Sequence, residues 1–194
     1  MLGCSEEQES VRGEDDLSQE ELLQLFAQGE IPAQPINYNG AKEQLQQEAF
    51  FIHDMYQEIT INILWNNLDT DEEAELIVQG PYGGTYFDAR DGIVYAMASG
   101  YSTANVLSFA EYDDKVWIVE SDTTHGCRVC YHFYRFDDTG IVMEEFTLNK
   151  FYWEHPGEPD SPDTTYEYNG EEISKTEYER ILSLIEMTYT TQWN

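Results

Sequence analysis

From Glu58 onward the apolar residues repeat with a period of two, and reverse-turn residues then recur at short, regular intervals. That pattern constrains the fold more than any other feature. Ile59, Ile61 and Ile63 alternate with polar residues and predict a strand; residues 76–78 predict a second, across an acidic loop. Asp91-Gly92 lies between Tyr86-Phe87 and Ile93-Val94-Tyr95. Asp113-Asp114 lies between residues 106–112 and 116–120, and Asp137-Asp138-Thr139-Gly140 between 128–136 and 141–148. Asp and Gly tolerate the left-handed backbone that tight hairpins need, so these are the turns of an antiparallel meander. Residues 154–163 hold three prolines and no apolar group, which predicts a surface loop before a short last strand at 164–168, ending at Asn169-Gly170.

Helices flank this region. Ser18 and Glu21 predict a capping box, Leu22, Leu23, Leu25 and Phe26 an apolar stripe, and Gly29 a stop. Pro32 and Pro35 then enforce an extended connection. A second helix is expected within residues 41–57, from Leu45, Ala49, Phe50, Phe51 and Ile52 among Gln and Glu. At the other end Ser174 and Glu177 predict another capping box, followed by Tyr178, Ile181, Leu182 and Ile185 on one face. The expected fold is α+β over residues 18–194: an antiparallel β-meander, as a curved sheet or partial barrel, packed with N- and C-terminal helices on one face. No internal repeat is present.

Charge bounds the function. Of 194 residues, 39 are acidic and 9 basic, a formal net charge of −30. Binding nucleic acid needs clustered Lys and Arg, and an anionic membrane surface attracts the same residues, so both are disfavoured as partners. The acids are spread among turns and helix starts, which argues against a DNA mimic and for solubility or attraction of cations. No run approaches 18 apolar residues, so no membrane-spanning helix is expected.

The chain opens Met1-Leu2-Gly3-Cys4-Ser5. Leu, then a small residue, then Cys is how a bacterial lipoprotein signal ends, and Cys4 is the expected site of lipidation. Residues 5–17 are polar and acidic, as suits a flexible tether, so residues 1–17 are read as a disordered acidic segment behind the lipid. This predicts a membrane-anchored lipoprotein outside the cytoplasm. The alternative is a cytoplasmic protein with a chance Gly-Cys near its start.

Four motifs could carry chemistry. In residues 67–76 oxygen donors alternate at Asn67, Asp69, Asp71 and Glu75, a spacing that can wrap one calcium ion between two strands. Glu72 stands where such loops carry Gly for a sharp turn, and the same residues also make an acidic β-turn without an ion. Asp122-Thr123-Thr124-His125-Gly126 places an acid beside a His and is the one candidate for a catalytic base with its orienting carboxylate, Asp122 and His125. The competing role is a capped turn. Cys127-Arg128-Val129-Cys130 has redox-motif spacing but sits at the start of a strand, without the strand-to-helix setting that activates such a pair. The odd count of three cysteines leaves at least one thiol unpaired within the chain. Gly80-Pro81-Tyr82-Gly83-Gly84 lacks the Lys and helix start of a phosphate loop, and predicts a loop that lets the chain reverse or approach a neighbour. Finally, Tyr82, Tyr86, Tyr95, Tyr101, Tyr131, Tyr134, Phe151, Tyr152 and Trp153 crowd the β region; those not in the core could form a carbohydrate- or peptide-binding face with the acids.

As a set, Gly29-Glu30-Ile31-Pro32-Ala33, residues 67–77, residues 80–84, Asp88-Ala89-Arg90-Asp91-Gly92, residues 122–126 and the closing element at 166–178 resemble a group of exported proteins and lipoproteins of Gram-positive gut bacteria. The resemblance spans most of residues 20–187. It implies an extracytoplasmic setting and a loop derived from a calcium-type sequence, and it carries no activity. Glu72 and Cys127 stand where it would place Gly.

The functional expectation is a non-enzymatic, lipid-anchored surface module that binds a protein, peptide or carbohydrate, with calcium as the one candidate cofactor. One alternative is a hydrolase-like enzyme using Asp122 and His125. Another is an acidic inhibitor or immunity protein that masks a basic partner.

Overall fold

The computed structural model describes residues 17–35, 48–55, 63–66, 75–154, 156 and 158–188. The first helix, α1 (Gln19–Gln28), starts as its sequence dictates. Ser18 Oγ accepts from the Glu21 amide at 3.2 Å, and a Glu21 carboxylate oxygen accepts from the Ser18 amide at 2.9 Å. Gly29 closes it in the left-handed conformation at φ 77°, and α1 buries Leu22, Leu23 and Phe26.

Two short strands come next in the chain: β1 (Ala33–Pro35) and, after a single helical turn α2 (Ile52–Met55), β2 (Ile63–Asn66). The helix expected over 41–57 is corrected where it is described. Residues 48–51 are not helical, and Phe50 makes a two-way backbone bridge to Ala33 at 2.8 and 3.0 Å. The buried Phe50 ring meets Phe26 edge-on, so a tertiary contact takes the backbone groups a helix would have used. Residues 41–47, 56–62 and 67–74 lie outside the described residues.

The meander then runs through β3 (Glu75–Val78), β4 (Thr85–Arg90), β5 (Ile93–Ser99), β6 (Val106–Tyr112), β7 (Lys115–Asp122), β8 (Arg128–Phe136), β9 (Val142–Phe151), β10 (Thr165–Tyr168) and β11 (Glu171–Ile173). The hairpin turns have the predicted chemistry. Both central residues are left-handed at Asp91-Gly92 (φ 52° and 76°), Asp113-Asp114 (55° and 57°) and Asn169-Gly170 (53° and 77°), the geometry that matches strand twist. The chain ends with α3 (Lys175–Leu182) and β12 (Glu186–Thr188). At α3, Ser174 caps the Glu177 amide at 3.1 Å, but the expected reciprocal half of the box is replaced: both Glu177 carboxylate oxygens take the Arg180 guanidinium, at 2.8 and 2.9 Å.

The class is α+β with the helices packed on the meander, and the meander is cut in two, with neither half closed into a barrel. One sheet has the order β1-β5-β4-β3-β2, with β1 parallel to β5; the other has the order β11-β10-β9-β8-β7-β6-β12. The break falls between β5 and β6. Three apolar clusters stack the elements in layers. Leu23, Phe26, Phe50 and Phe87 join α1 to the outer face of the first sheet. Ile77, Tyr86, Phe109, Ile118, Tyr134 and Phe136 fill the space between the sheets. Trp117, Phe133, Phe146, Tyr178 and Ile181 join the second sheet to α3. The two helical stripes therefore cover opposite outer faces rather than sharing one.

Of the two roles open to residues 80–84, reversal or approach to a neighbour, the structure shows a close approach. The Leu107 amide donates to the Tyr82 carbonyl at 2.9 Å, so this loop of the first sheet stitches directly to β6 of the second. A Cβ on Gly83 would sit 1.8 Å from the Leu107 carbonyl oxygen, so only glycine fits there.

Candidate functional site

Side chains alternate across a strand, so β7, β8 and β9 each present two faces. One set, Val119, Phe133, Phe146 and Leu148 among them, packs under α3. The other set faces the first sheet, but only over part of its length. Ile118, Tyr134 and Phe136 are covered. Toward the β7–β8 turn the same face becomes polar. Glu120 pairs with His132 and His132 with Thr147; one step on, Asp122 pairs with Cys130 and Cys130 with Asn149. With Asn105 they line an open recess of about 190 Å³. Enclosed small-molecule sites run to roughly 300–1,000 Å³, so this is a shelf that could seat one ring-sized piece of a longer ligand.

The carboxylates on the shelf are held in place from inside. Glu120 accepts from the Asn105 amide at 2.7 Å through one oxygen and from the Tyr134 hydroxyl at 2.8 Å through the other. Asp122 is 5% exposed. One of its oxygens lies 2.7 Å from His125 Nδ1 and the other accepts from Arg128 Nε at 2.6 Å. Burial pushes the Asp122 carboxyl up, but the hydrogen bonds from His125 and Arg128 outweigh it and hold the group below the ordinary carboxylate range. His132 Nε2 lies 3.1 Å from Glu145, and its ring packs on Tyr134 at 5.0 Å. Burial raises the Cys130 thiol, which keeps it protonated and a poor nucleophile at neutral pH.

The structure thus brings Asp122 and His125 together, as the catalytic candidate requires. It also gives Asp122 a second task, because its bond to Arg128 ties the two ends of the β7–β8 connection together. His125 is exposed, and among the described residues no hydroxyl or thiol is bonded to it as a nucleophile would be. Thr124 donates to the Thr103 carbonyl at 3.0 Å and helps dock this connection on its neighbour. Cys127 has φ 137°, a backbone region suited to Gly. Both Cys127 and Cys130 are free thiols.

Comparison with protein-family models, curated proteins and solved structures finds no match to this chain.

Other predicted site residues fall elsewhere. Cys4 and three of the calcium-loop donors, Asn67, Asp69 and Asp71, lie outside the described residues; Glu75 is fully buried at the start of β3. Among the described residues no cluster of three or more His, Cys, Asp or Glu is arranged to hold a metal, and no helix is long and apolar enough to cross a membrane. The aromatic crowd sorts into core (Tyr86, Tyr134, Tyr152) and surface (Tyr101, Trp153). Trp153 is 57% exposed and stacks on Phe151 with ring centroids 5.6 Å apart. Sequence reading missed Asn105, Glu120, Thr147 and Asn149. Asn105 precedes β6, and Thr147 and Asn149 continue a polar row from Glu145 on β9, so no local signal marks them out and only the strand register brings the row together.

Proposed function

We propose that this protein is a non-enzymatic, lipid-anchored extracytoplasmic module that binds its ligand on the polar shelf of the second sheet. The observation that carries the proposal is the change of character along one sheet face. Where the first sheet covers it the face is apolar; where it is left open, it presents ordered carboxylates beside unengaged polar groups. Leaving that row apolar and covered would add stability, so its polarity favours a binding role. The Thr147 hydroxyl and Asn149 amide make no hydrogen bond to another described side chain, while Glu120 and Asp122 beside them are fixed. Rigid acceptors next to free donors suit a polar ligand, since less freedom is lost on binding.

The anchoring half of the proposal rests on Leu2-Gly3-Cys4 and the acidic residues behind it. Fractionation of native cells tests it: the protein is expected in the membrane fraction and Cys4→Ser in the soluble one. Wholly cytosolic, unlipidated protein overturns it.

The Asp122–His125 contact supports a second reading, a hydrolase. The two are separated by a broad hydrolytic substrate screen. Turnover by the wild type that His125→Ala abolishes favours the enzyme; no turnover favours the binding module, and turnover unchanged in His125→Ala removes Asp122 and His125 from the chemistry.

A further inference from the structure

We infer that the shelf seats a neutral oligosaccharide, with the Trp153–Phe151 stack as the platform for one sugar ring and Asn149, Thr147 and Asp122 as the hydrogen-bonding row beside it. The inference rests on the shelf being the ligand seat, and it names the class of ligand.

The register places the platform. Phe151 lies two residues beyond Asn149 on β9, on the same face, and pairs with Arg128, whose guanidinium holds Asp122. Two residues along a strand separate side chains by about 7 Å, close to the spacing between a ring and its neighbour's hydroxyls. Trp153 continues the platform outward, its ring within 16° of parallel to Phe151. Trp153, exposed and nearly parallel to the half-buried Phe151 it stacks on, offers an apolar face to the C–H side of a sugar. Next to it, Asn149 offers both amide donors and an acceptor, Thr147 a hydroxyl, and Asp122 a fixed carboxylate, a mixture that matches hydroxyl groups able to donate and accept. The shelf is open along the sheet and small in volume, so an extended chain can lie across it with one ring in contact. The net charge of −30 repels anionic glycans and selects neutral ones.

Isothermal titration of the full chain with cellohexaose, xylohexaose and N-acetylchitohexaose, with tetralysine as a cationic peptide, tests this. At least one hexasaccharide is expected to bind. Trp153→Ala and Asn149→Ala should each weaken that binding tenfold or more, while the unfolding midpoint stays near that of the wild type, because neither side chain lies in the core. If only tetralysine binds, and Asn149→Ala weakens it, the seat stands and the saccharide is wrong. If a hexasaccharide binds equally well to both variants, the seat itself is wrong, and the proposed binding role of the shelf falls with it. Absence of binding to all three hexasaccharides also overturns the inference.

Discussion

Asp122 is where local chemistry and architecture meet. Its carboxylate sits at the end of β7, nearly buried, with His125 and Arg128 on its two oxygens. Because its pKa is lowered in the folded protein, its stabilisation is fully present above the ordinary carboxylate value and is lost as the pH falls through the folded value. Asp122→Asn should therefore cost about 1–3 kcal/mol at neutral pH, the range for hydrogen bonds to a charged group that is partly screened. The gap between variant and wild type should shrink as the pH drops below about 4. Urea unfolding at a series of pH values checks this, and a gap independent of pH would remove the carboxylate from the account. Cys127 gives the opposite case. Its φ of 137° suits Gly, so Cys127→Gly should raise stability by about 1 kcal/mol, the relief of strain less the entropy of a glycine. A higher denaturation midpoint with an unchanged slope is the expected result.

At the scale of elements, the two main helices start with the same residues and differ in what those residues do. At α1 the Ser18 box is complete, and Glu21 serves the Ser18 amide. At α3 only Ser174 caps, because Glu177 has turned to Arg180. Ser18→Ala should destabilise by about 1 kcal/mol, the usual value of a cap, and Glu21→Ala should show part of the same loss. Glu177→Ala should cost less than either, since it removes only an exposed ion pair within one helical turn. Equal losses for Glu21→Ala and Glu177→Ala in thermal unfolding would contradict the difference between the two caps.

The whole molecule depends on how its two sheets meet. Tyr86, Phe109, Tyr134 and Phe136 fill the space between them, and the loop at 80–84 fixes their distance through the bond from Leu107 to Tyr82. A side chain at Gly83 would strike the Leu107 carbonyl, whereas one at Gly126 meets nothing within 4 Å. Gly83→Ala should therefore cost more than about 2 kcal/mol and Gly126→Ala less than about 0.5 kcal/mol, measured by equilibrium unfolding. The calcium-type loop is tested at this scale too. If Asn67, Asp69, Asp71 and Glu75 hold an ion, they pin β2 to β3, and calcium at a hundred times its Kd adds about 2.7 kcal/mol, a rise in Tm of roughly 5–11 °C. That rise should vanish in Asp69→Ala/Asp71→Ala and should not be produced by magnesium. An unchanged Tm with calcium against chelator would leave the loop as an acidic turn.

The sequence by itself determined what a few neighbouring residues can decide. Asp91-Gly92, Asp113-Asp114 and Asn169-Gly170 set their hairpins because left-handed backbone is cheap there, and Ser18 with Glu21 set the start of α1. The alternation in β6 through β9 set the strands and hence the α+β class. Tertiary structure alone decided that the meander splits after β5, that Phe50 pairs with Ala33 instead of continuing a helix, and that α1 and α3 lie on opposite faces. It also decided the shelf. Asn105, Glu120, His132, Thr147 and Asn149 come from four consecutive segments of chain and become neighbours only when the register of β7, β8 and β9 is fixed. Pairing across strands and the packing of one sheet on another are properties of surfaces brought together, and a polar residue on a strand carries no local mark of whether another layer will cover it.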